Sequence, residues 1–490
     1  MGEVDHQDKR VIVIGTGFSG LGCAIKLKDL GYKNIAIYEK NAEVGGTWET
    51  NRYPGLTCDM PALAYTFSFA RSAEFSHLFA SWNEIRDYCK SVAKKYDLYQ
   101  HIKFNTGIIE AKYQDSQWIV KTAKGGEDIA DIIIMATGVL RNLNYPDVKG
   151  LESFAGRLIH TGRWDQSLEL KGKKVAVIGN GATSAQLVPA IIDEVSELTL
   201  FQRTAQWINP LPGGNRSYSQ EQRQKLRDDP ARLAEIADDF LNKTETLVDG
   251  LLLDNTGTIK SQIDNACQST LAAISNPELR KKLTPDYVPG CKRLITSSTF
   301  YPALEKPNAN LVTTGIECIE PNGIRTQDGN FYELDIIILA TGYRMHDYMR
   351  PMKISGEDGV LLDDIWQDGE FAHRGVMLPR FPNLFMIMGP NSPLTNFSVI
   401  AVAEWQINYI MQLAEQILSN KASTIAPNPQ ATKKFNESLV AKSPGTIWTT
   451  GCNSYYLKKN GLPNVWPDTV ASYRETMQTP NLNEYLISRA

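Results

Sequence analysis

The sequence predicts an α/β protein with two dinucleotide-binding, Rossmann-like domains and a mainly helical insertion. Three observations support this prediction. A β-branched strand runs into a glycine-rich turn and then a helix twice along the chain, first near residue 15 and again near residue 179. Two apolar segments, near residues 131 and 335, are almost copies of each other. Between about residues 210 and 289 the chain loses strand character and becomes polar and helix-forming.

The first glycine turn follows a strand predicted over residues 10–15 and precedes a predicted helix over 21–30 and a second strand over 34–38. Glycines in this pattern let the backbone turn tightly and approach a pyrophosphate, which rests on the amide groups of the helix N-terminus. Glu39 ends the second strand, 24 residues after Gly15. A carboxylate at that place can accept hydrogen bonds from a ribose hydroxyl.

The second glycine turn repeats this plan between a strand over residues 174–179 and a helix over 183–192. At the spacing of Glu39, the second unit carries Arg203. A carboxylate there would repel the 2′-phosphate of NADPH, whereas a guanidinium binds it through charge-assisted hydrogen bonds. The first unit is therefore predicted to bind FAD and the second NADPH. Ser184 replaces the third glycine, and a residue this small should still let helix and strand pack closely.

The two apolar copies, residues 131–138 and 335–343, each combine a strand with a turn of small residues. Continuous apolarity is typical of a parallel strand that is buried on both faces. We expect the chain to cross between its two domains near these copies. The predicted domains are an FAD-binding domain over 1–144 and 341–490 and an NADP-binding domain over 145–340, which includes the helical insertion at about 210–289.

Composition and charge exclude several classes of protein. The chain has 490 residues, enough for two or three domains, and a formal net charge of −4, which speaks against nucleic-acid binding. Its polar first ten residues do not form a signal peptide, and no apolar run is long enough to span a membrane. The seven cysteines are widely spaced without a CxxC pair, so neither a disulfide framework nor a redox dithiol is expected. We expect a cytoplasmic protein without a metal site.

One segment between the two glycine turns, residues 154–165, matches a known sequence pattern at five positions. Phe154, Gly156, His160, Trp164 and Asp165 fit the pattern FxGxxxHxxxW[P/D], which resembles the fingerprint of the type I Baeyer–Villiger monooxygenases. A second fingerprint of that family, [A/G]GxWxxxx[F/Y]P[G/M]xxxD, matches residues 45–59 at every fixed position. The resemblance extends over most of the chain, including residues 389–393. It implies a flavoprotein with two dinucleotide domains, which binds FAD non-covalently and uses NADPH.

The resemblance also implies which residues contact the two cofactors. Thr57, Cys58 and Asp59 would border the nicotinamide, and Lys292 would be a second cation for the 2′-phosphate. The candidate FAD contacts are Gly15, Gly17, Phe18, Ser19, Gly20, Glu39, Lys40, Gly46, Thr47, Trp48, Asp59 and Tyr65. The candidate NADP contacts are Thr57, Cys58, Asp59, Gly179, Asn180, Gly181, Ala182, Thr183, Ser184, Ala185, Arg203, Thr204, Lys292 and Arg293.

The reaction implied by the resemblance uses a small-molecule ketone and O₂. NADPH reduces FAD, O₂ adds at the flavin C4a atom, and the resulting peroxide attacks the ketone carbonyl to give an ester or lactone. That attack needs an anionic peroxide, which a fixed guanidinium can stabilise. Arg293 is the family's candidate for this group, and Asp59 is the carboxylate expected to orient it. The family's linker position falls on His160, which is expected to act structurally and not as a proton donor.

Three alternatives stay open at this point. An N- or S-oxygenating flavin monooxygenase has Tyr or Phe at the end of its fingerprint, where this chain has Trp164 and Asp165. Sulfoxidation is in any case expected as a side activity. A pyridine-nucleotide disulfide reductase would need a redox cysteine pair, and a non-catalytic NADPH-oxidising protein would insert no oxygen. The sequence determines neither the particular ketone nor the oligomeric state.

Overall fold

A computed structural model describes residues 9–253, 257–392 and 395–489 of the chain. Residues 1–8 of the polar start and Pro393 of the 389–393 segment lie outside the described residues.

Elements are numbered in chain order. The strands are β1 Val11–Ile14, β2 Ile35–Tyr38, β3 Ile102–Lys103, β4 Ile108–Gln114, β5 Gln117–Thr122, β6 Glu127–Ala130, β7 Ile132–Met135, β8 Arg157–His160, β9 Lys174–Ile178, β10 Glu197–Phe201, β11 Ile208–Asn209, β12 Ile295–Thr296, β13 Ala309–Val312, β14 Ile316–Glu320, β15 Gly323–Thr326, β16 Phe331–Glu333, β17 Ile336–Leu339, β18 Lys353–Ser355, β19 Leu384–Met386, β20 Thr424–Pro427 and β21 Tyr485–Ser488. The α-helices are α1 Phe18–Asp29, α2 Thr47–Thr50, α3 Trp82–Lys95, α4 Ala182–Ile191, α5 Gln220–Asp228, α6 Pro230–Leu253, α7 Thr258–Ala272, α8 Pro277–Leu283, α9 Phe300–Leu304, α10 Leu362–Ile365, α11 Val399–Leu418, α12 Pro429–Lys442 and α13 Val470–Thr476.

The first glycine turn belongs to a five-stranded parallel sheet with the order β19-β7-β1-β2-β3. β1 lies in the middle of this sheet, and all residues of β1, β2 and β7 are buried. This burial on both faces explains why these segments are apolar without interruption. α1 begins at Phe18, three residues before its predicted start, because Gly17 already provides the N-cap.

The second glycine turn belongs to a second five-stranded parallel sheet, with the order β13-β10-β9-β17-β8. Its central strand β9 is the counterpart of β1. The two near-identical apolar segments occupy equivalent places, since β7 pairs with β1 and β17 pairs with β9. The predicted α/β fold with two dinucleotide-binding domains is therefore confirmed, while the domain boundaries stay predictions.

The stretch between β11 and β12 is helical, as predicted. Its regular elements in the described residues are α5, α6, α7 and α8. Smaller sheets were not predicted from the sequence. β4, β5 and β6 form an antiparallel sheet with β18 at its edge, and β14, β15 and β16 form another. No helix within the described ranges has both the length and the apolarity to cross a membrane. A cytoplasmic location stays a prediction.

The sequence gives no sign of a disulfide framework, yet the structure holds one disulfide. Cys291 and Cys452 form a disulfide, with their Cα atoms 6.3 Å apart, although 161 residues separate them in sequence. Folding brings a loop after the helical insertion against the C-terminal segment, and no local spacing signals such a contact. The other cysteines in the described residues are free thiols, of which Cys318 is partly exposed and the remaining four are buried.

Candidate active site

Both glycine turns open into one cleft of about 2160 Å³. The strands β1, β2 and β7 of the first sheet and β9, β10 and β17 of the second all end at this cleft, and the residues at or just after their carboxyl ends line it. Ligands bind at the carboxyl ends of parallel strands in folds of this kind. An ordinary small-molecule pocket measures roughly 300–1000 Å³. The cleft therefore has the size expected for two nucleotides together with a substrate.

The first turn is shaped by close backbone contacts. Gly15 has a φ of +109°, and a Cβ atom there would lie 2.4 Å from the carbonyl oxygen of Ala136 at the end of β7. A Cβ atom at Gly20 would lie 1.9 Å from the carbonyl oxygen of Gly15, so the helix packs directly on the turn. The N-cap of α1 is Gly17, which offers no side-chain acceptor to the first amides of the helix. These amides suit a pyrophosphate.

The second turn repeats the geometry with one difference. Gly179 has a φ of +104°, and a Cβ atom there would lie 2.6 Å from the carbonyl oxygen of Ala340. Gly181 is the N-cap of α4 and again offers no side-chain acceptor. Ser184 occupies the third position, where its hydroxyl donates to the carbonyl oxygen of Gly179 at 2.5 Å. The turn thus accepts a small side chain and uses it to tie the helix to the strand.

Two predicted cofactor contacts already have partners within the protein. The buried Glu39 carboxylate accepts hydrogen bonds from the Thr16 amide and hydroxyl, at 3.0 and 2.6 Å, and from the Asn41 amide at 2.8 Å. A carboxylate can accept about four hydrogen bonds, so roughly one site remains for a ribose hydroxyl. The Asn180 side chain donates to the Gln202 side chain and to the Thr204 carbonyl oxygen, both at 2.8 Å. It thereby fixes the residues that follow β10.

Two cations line the cleft beyond the end of β10. Arg203 is exposed, and Lys292 lies with its ammonium 4.6 Å from the centre of the Tyr287 ring. Neither cation has a salt-bridge partner within 4 Å in the described residues. Burial lowers the pKa of Lys292; Asp286 partly opposes this effect, and the nearby Arg203 adds a smaller lowering. Two neighbouring cations without a salt bridge form a site for an anion such as a phosphate.

Arg293 and Asp59 meet between the two turns, although they are 234 residues apart in sequence. The Nε and Nη2 atoms of Arg293 donate to one carboxylate oxygen of Asp59, Oδ2, at 3.0 and 2.5 Å. The two side chains are 31% and 32% exposed, so the pair is open to the cleft. Burial opposes the charge of Arg293, but Asp59, Tyr456 and Tyr455 outweigh it and hold the pKa of Arg293 above its usual range.

Aromatic and apolar side chains surround this pair. The rings of Trp48 and Tyr65 pack edge to face with their centres 5.7 Å apart, and Phe18 packs against Tyr65 at 5.4 Å. Cys58 is buried next to Asp59, and burial followed by the charge of Asp59 raises the pKa of its thiol. The thiol therefore stays protonated and is not a nucleophile. Within the described residues the wall is completed by Thr395, Phe397, Asn453, Ser454, Tyr455 and Tyr456.

Most of the fixed residues of the first fingerprint, within residues 154–165, do not line the cleft. His160 ends β8, where its Nδ1 atom accepts from the Gly162 amide at 3.1 Å and its Nε2 atom lies 3.3 Å from the Thr341 hydroxyl. Burial lowers the pKa of His160, so it is neutral near pH 7. Asp165 pairs with Arg157 at the surface. Phe154 and Gly156 also lie outside the cleft wall, and only Trp164 of the fingerprint lines it.

Most predicted site residues line the cleft. Gly20, Ser184 and Ala185 lie behind it and shape the turns. Sequence analysis missed Gln186 of α4, which joins the two units: it donates to the Thr57 carbonyl oxygen and accepts from the Tyr53 hydroxyl, both at 3.0 Å. The available signal was a long polar side chain in the middle of a helix whose other residues are small or apolar. Tyr455 and Tyr456 were not singled out as site residues, and no local pattern places them beside Arg293.

Comparisons with known proteins agree with this site. A family model described as pyridine nucleotide-disulphide oxidoreductase matches residues 12–227. An uncharacterized monooxygenase of Mycobacterium tuberculosis is 41% identical over 479 residues, covering 98% of this chain and 96% of that protein. A protein of Streptomyces coelicolor named Baeyer-Villiger monooxygenase is 36% identical over 489 residues, covering 99% of this chain and 93% of that protein.

A solved structure of closed cyclohexanone monooxygenase superposes with a TM-score of 0.87 at 28% identity and covers 98% of this chain and 99% of its own. The disulfide reductases, which share the nucleotide-binding architecture, are not supported, because neither Cys291 nor Cys452 lines the cleft. The site geometry, both fingerprints and the full-length relatives agree, and the chain belongs to the type I Baeyer–Villiger monooxygenases.

Proposed function

We propose that this chain oxidises ketones to esters or lactones with FAD, NADPH and O₂, and that Arg293 is the catalytic cation. The observation that carries this proposal is the Arg293–Asp59 pair, which lies in the cleft that both glycine turns share. Sulfoxidation of small sulfides in the same cleft accompanies this activity. The aromatic wall around the pair favours substrates of low polarity.

The residues present fit both cofactors. The first turn, with its uncapped helix amides and Glu39 at the next strand end, would hold the pyrophosphate and ribose of FAD. Trp48 and Tyr65 would pack beside the flavin. The second turn, with Arg203 and Lys292, would hold NADPH and its 2′-phosphate. When bound, NADPH supplies the hydride and the flavin supplies the activated oxygen.

Asp59 keeps the Arg293 guanidinium in one orientation without using all of its donors. The Nε and Nη2 atoms bind Asp59, while Nη1 has no hydrogen-bond partner in the described residues. Nη1 can therefore donate to an oxyanion that develops on the substrate carbonyl. Because the pKa of Arg293 lies above its usual range, the positive charge persists at every working pH. A fixed cation of this kind stabilises charge in the transition state without having to reorganise.

Replacing Arg293 tests the proposal. Arg293→Ala should still accept hydride from NADPH but should form ester about 10²–10³-fold more slowly, the usual cost of losing one such group. Arg293→Lys should restore little, since an ammonium lacks the planar fork that Asp59 orients. The measurement is ester formed per NADPH consumed over a ketone panel, with product identification by mass spectrometry.

A second ion pair, outside the cleft, provides a matched control. Arg325 pairs with Glu320 through its Nε atom at 2.6 Å, with side-chain exposures of 37% and 34%, but neither residue lines the cleft. Arg325→Ala therefore removes a similar ion pair and should leave the ester yield unchanged. If Arg293→Ala makes ester at the wild-type yield, Arg293 is not the catalytic cation.

A further inference from the structure

We propose that the Cys291–Cys452 disulfide is a redox-controlled tether, which closes the substrate side of the cleft when formed and opens it when reduced. The disulfide joins two segments that both face the substrate. Cys291 is two residues before Arg293, and Cys452 is three residues before Tyr455. Lys292, Arg293 and residues 453–456 line the cleft, whereas the two cysteines lie behind this wall.

Residues 463–468 are anchored, since Asn391 donates to the carbonyl oxygens of Pro463 and Val465 at 3.1 and 3.3 Å and Trp466 is buried. Residues 451–462, which carry Cys452, have fewer links to the rest of the protein, and the disulfide is one of them. From residue 451 to 469 the chain has no helix or strand of its own. The links of residues 451–462 to neighbouring segments include a hydrogen bond between His346 and the Tyr455 carbonyl oxygen at 2.9 Å and one from Lys458 to Asn391 at 3.2 Å. Segments with few such bonds open more easily than the core. The disulfide is the covalent link between residues 451–469 and the Arg293 loop.

The two cysteine residues differ in accessibility. Cys291 is fully buried, whereas Cys452 is 9% exposed and lies between the exposed Gly451 and Asn453. An external thiolate would thus attack the sulfur of Cys452, so that the S–S bond breaks and Cys291 leaves as a thiolate that takes up a proton. The second thiol of a dithiol reductant then resolves the mixed disulfide, which frees Cys452 as a thiol and leaves the reductant oxidised. Exchange with an oxidised dithiol reverses both steps.

The surroundings favour a reversible bond. The free cysteines in the described residues are Cys23, Cys58, Cys89 and Cys267, which are buried, and Cys318, which is partly exposed on β14. Only Cys318 is therefore open to compete for exchange. In a reducing compartment, where we predict this protein to be, disulfides that do form are usually catalytic or redox-sensing and are not permanent staples.

We expect the tether to change how much of the NADPH oxidation leads to ester, through the access of water to the site. This effect rests on the proposed function. With the tether formed, residues 453–456 stay against Arg293 and keep the reacting groups away from bulk water. With the tether broken, NADPH is still oxidised, but a smaller share of that oxidation yields ester. Excluding water from a reactive site prevents such side reactions.

The test uses the full-length, FAD-loaded enzyme, equilibrated with different ratios of reduced to oxidised dithiothreitol. Peptide mapping without reductant should show Cys291 linked to Cys452 at oxidising ratios and free at reducing ones. Reduction should speed limited proteolysis within residues 451–469 and lower the ester formed per NADPH several-fold. Reoxidation should reverse both changes. Cys452→Ser should behave like the reduced enzyme at every ratio, while Cys318→Ser should respond like the wild type.

The tether proposal is wrong if the oxidised enzyme contains no linked peptide. It is also wrong if proteolysis and ester yield are the same with and without the disulfide. If Cys452→Ser fails to fold, the reduced and reoxidised wild type still decides the matter. A failure of the proposed function would look different: proteolysis of residues 451–469 would follow the redox state, but no ester would form in either state.

Discussion

The two nucleotide-binding units share the same order of strand, glycine turn, helix and strand but carry opposite charges after their second strand. In the first unit, Glu39 is buried and its carboxylate is already bonded to Thr16 and Asn41. In the second unit, Arg203 is exposed at the corresponding place and has no acidic partner within 4 Å in the described part of the chain. The carboxylate of the first unit is thus largely satisfied within the protein, whereas the second unit presents to the cleft a cation without a salt bridge. This matches a resident FAD and an exchanging NADPH.

The third position of each turn differs as well. At Gly20 a Cβ atom would lie 1.9 Å from the carbonyl oxygen of Gly15, which leaves no room for any side chain. At Ser184 a side chain is present and donates to the carbonyl oxygen of Gly179. At this position the first helix therefore touches its turn directly, whereas the second leaves space for a small side chain. At the same motif position, the first unit has room only for glycine, whereas the second unit accepts a small side chain.

The largest effect is expected from Gly20→Ala. Its methyl group would overlap the Gly15 carbonyl, and overpacking usually costs about 1–3 kcal/mol, more where the neighbouring atom is rigid backbone. The variant should lose FAD or fail to fold, whereas Ser184→Ala should keep its flavin. The flavin-to-protein absorbance ratio and the melting temperature measure both outcomes. A purified Gly20→Ala protein with full flavin content would show that the two turns do not differ in this way.

A smaller, selective effect is expected from Arg203→Ala. Losing one charge-assisted contact to the 2′-phosphate should cost about 1.5–3 kcal/mol, which is roughly a 10- to 150-fold increase in the KM for NADPH. NADH lacks this phosphate, so its KM should hardly change and serves as the internal control. Steady-state kinetics with both cofactors provide the measurement. An equal loss with NADPH and NADH would show that Arg203 does not bind the 2′-phosphate.

What could be predicted from the sequence was set by local constraints. The two turns were predictable because a strand, a glycine turn and a helix are adjacent in the chain, and the buried strands β7 and β17 because both of their faces are apolar. The Cys291–Cys452 bond was not predictable, since it depends on a contact across 161 residues. The bridge from Gln186 to Thr57 is likewise a product of how the two units pack. Motif resemblance, and not local spacing, led to the Arg293–Asp59 pair.

The smallest expected effect is a pH dependence of NADPH binding, which distinguishes the contribution of Lys292 from that of Arg203. Burial lowers the pKa of Lys292 more than the nearby Asp286 raises it, and Arg203 lowers it slightly further, so its ammonium loses its proton at a lower pH than an ordinary lysine does. The 2′-phosphate is fully ionised above about pH 7, with a second pKa of roughly 6. Attraction between the two is therefore complete below the lowered pKa of Lys292 and is lost as the pH rises through it.

The KM for NADPH should accordingly rise at alkaline pH, while the KM for NADH stays level. Lys292→Arg keeps its positive charge throughout this range and should abolish the rise without affecting NADH. The measurement is the KM for each cofactor as a function of pH, with flavin content checked at every point. If Lys292→Arg shows the same alkaline rise as the wild type, another group titrates, and Arg203 alone distinguishes the second unit from the first.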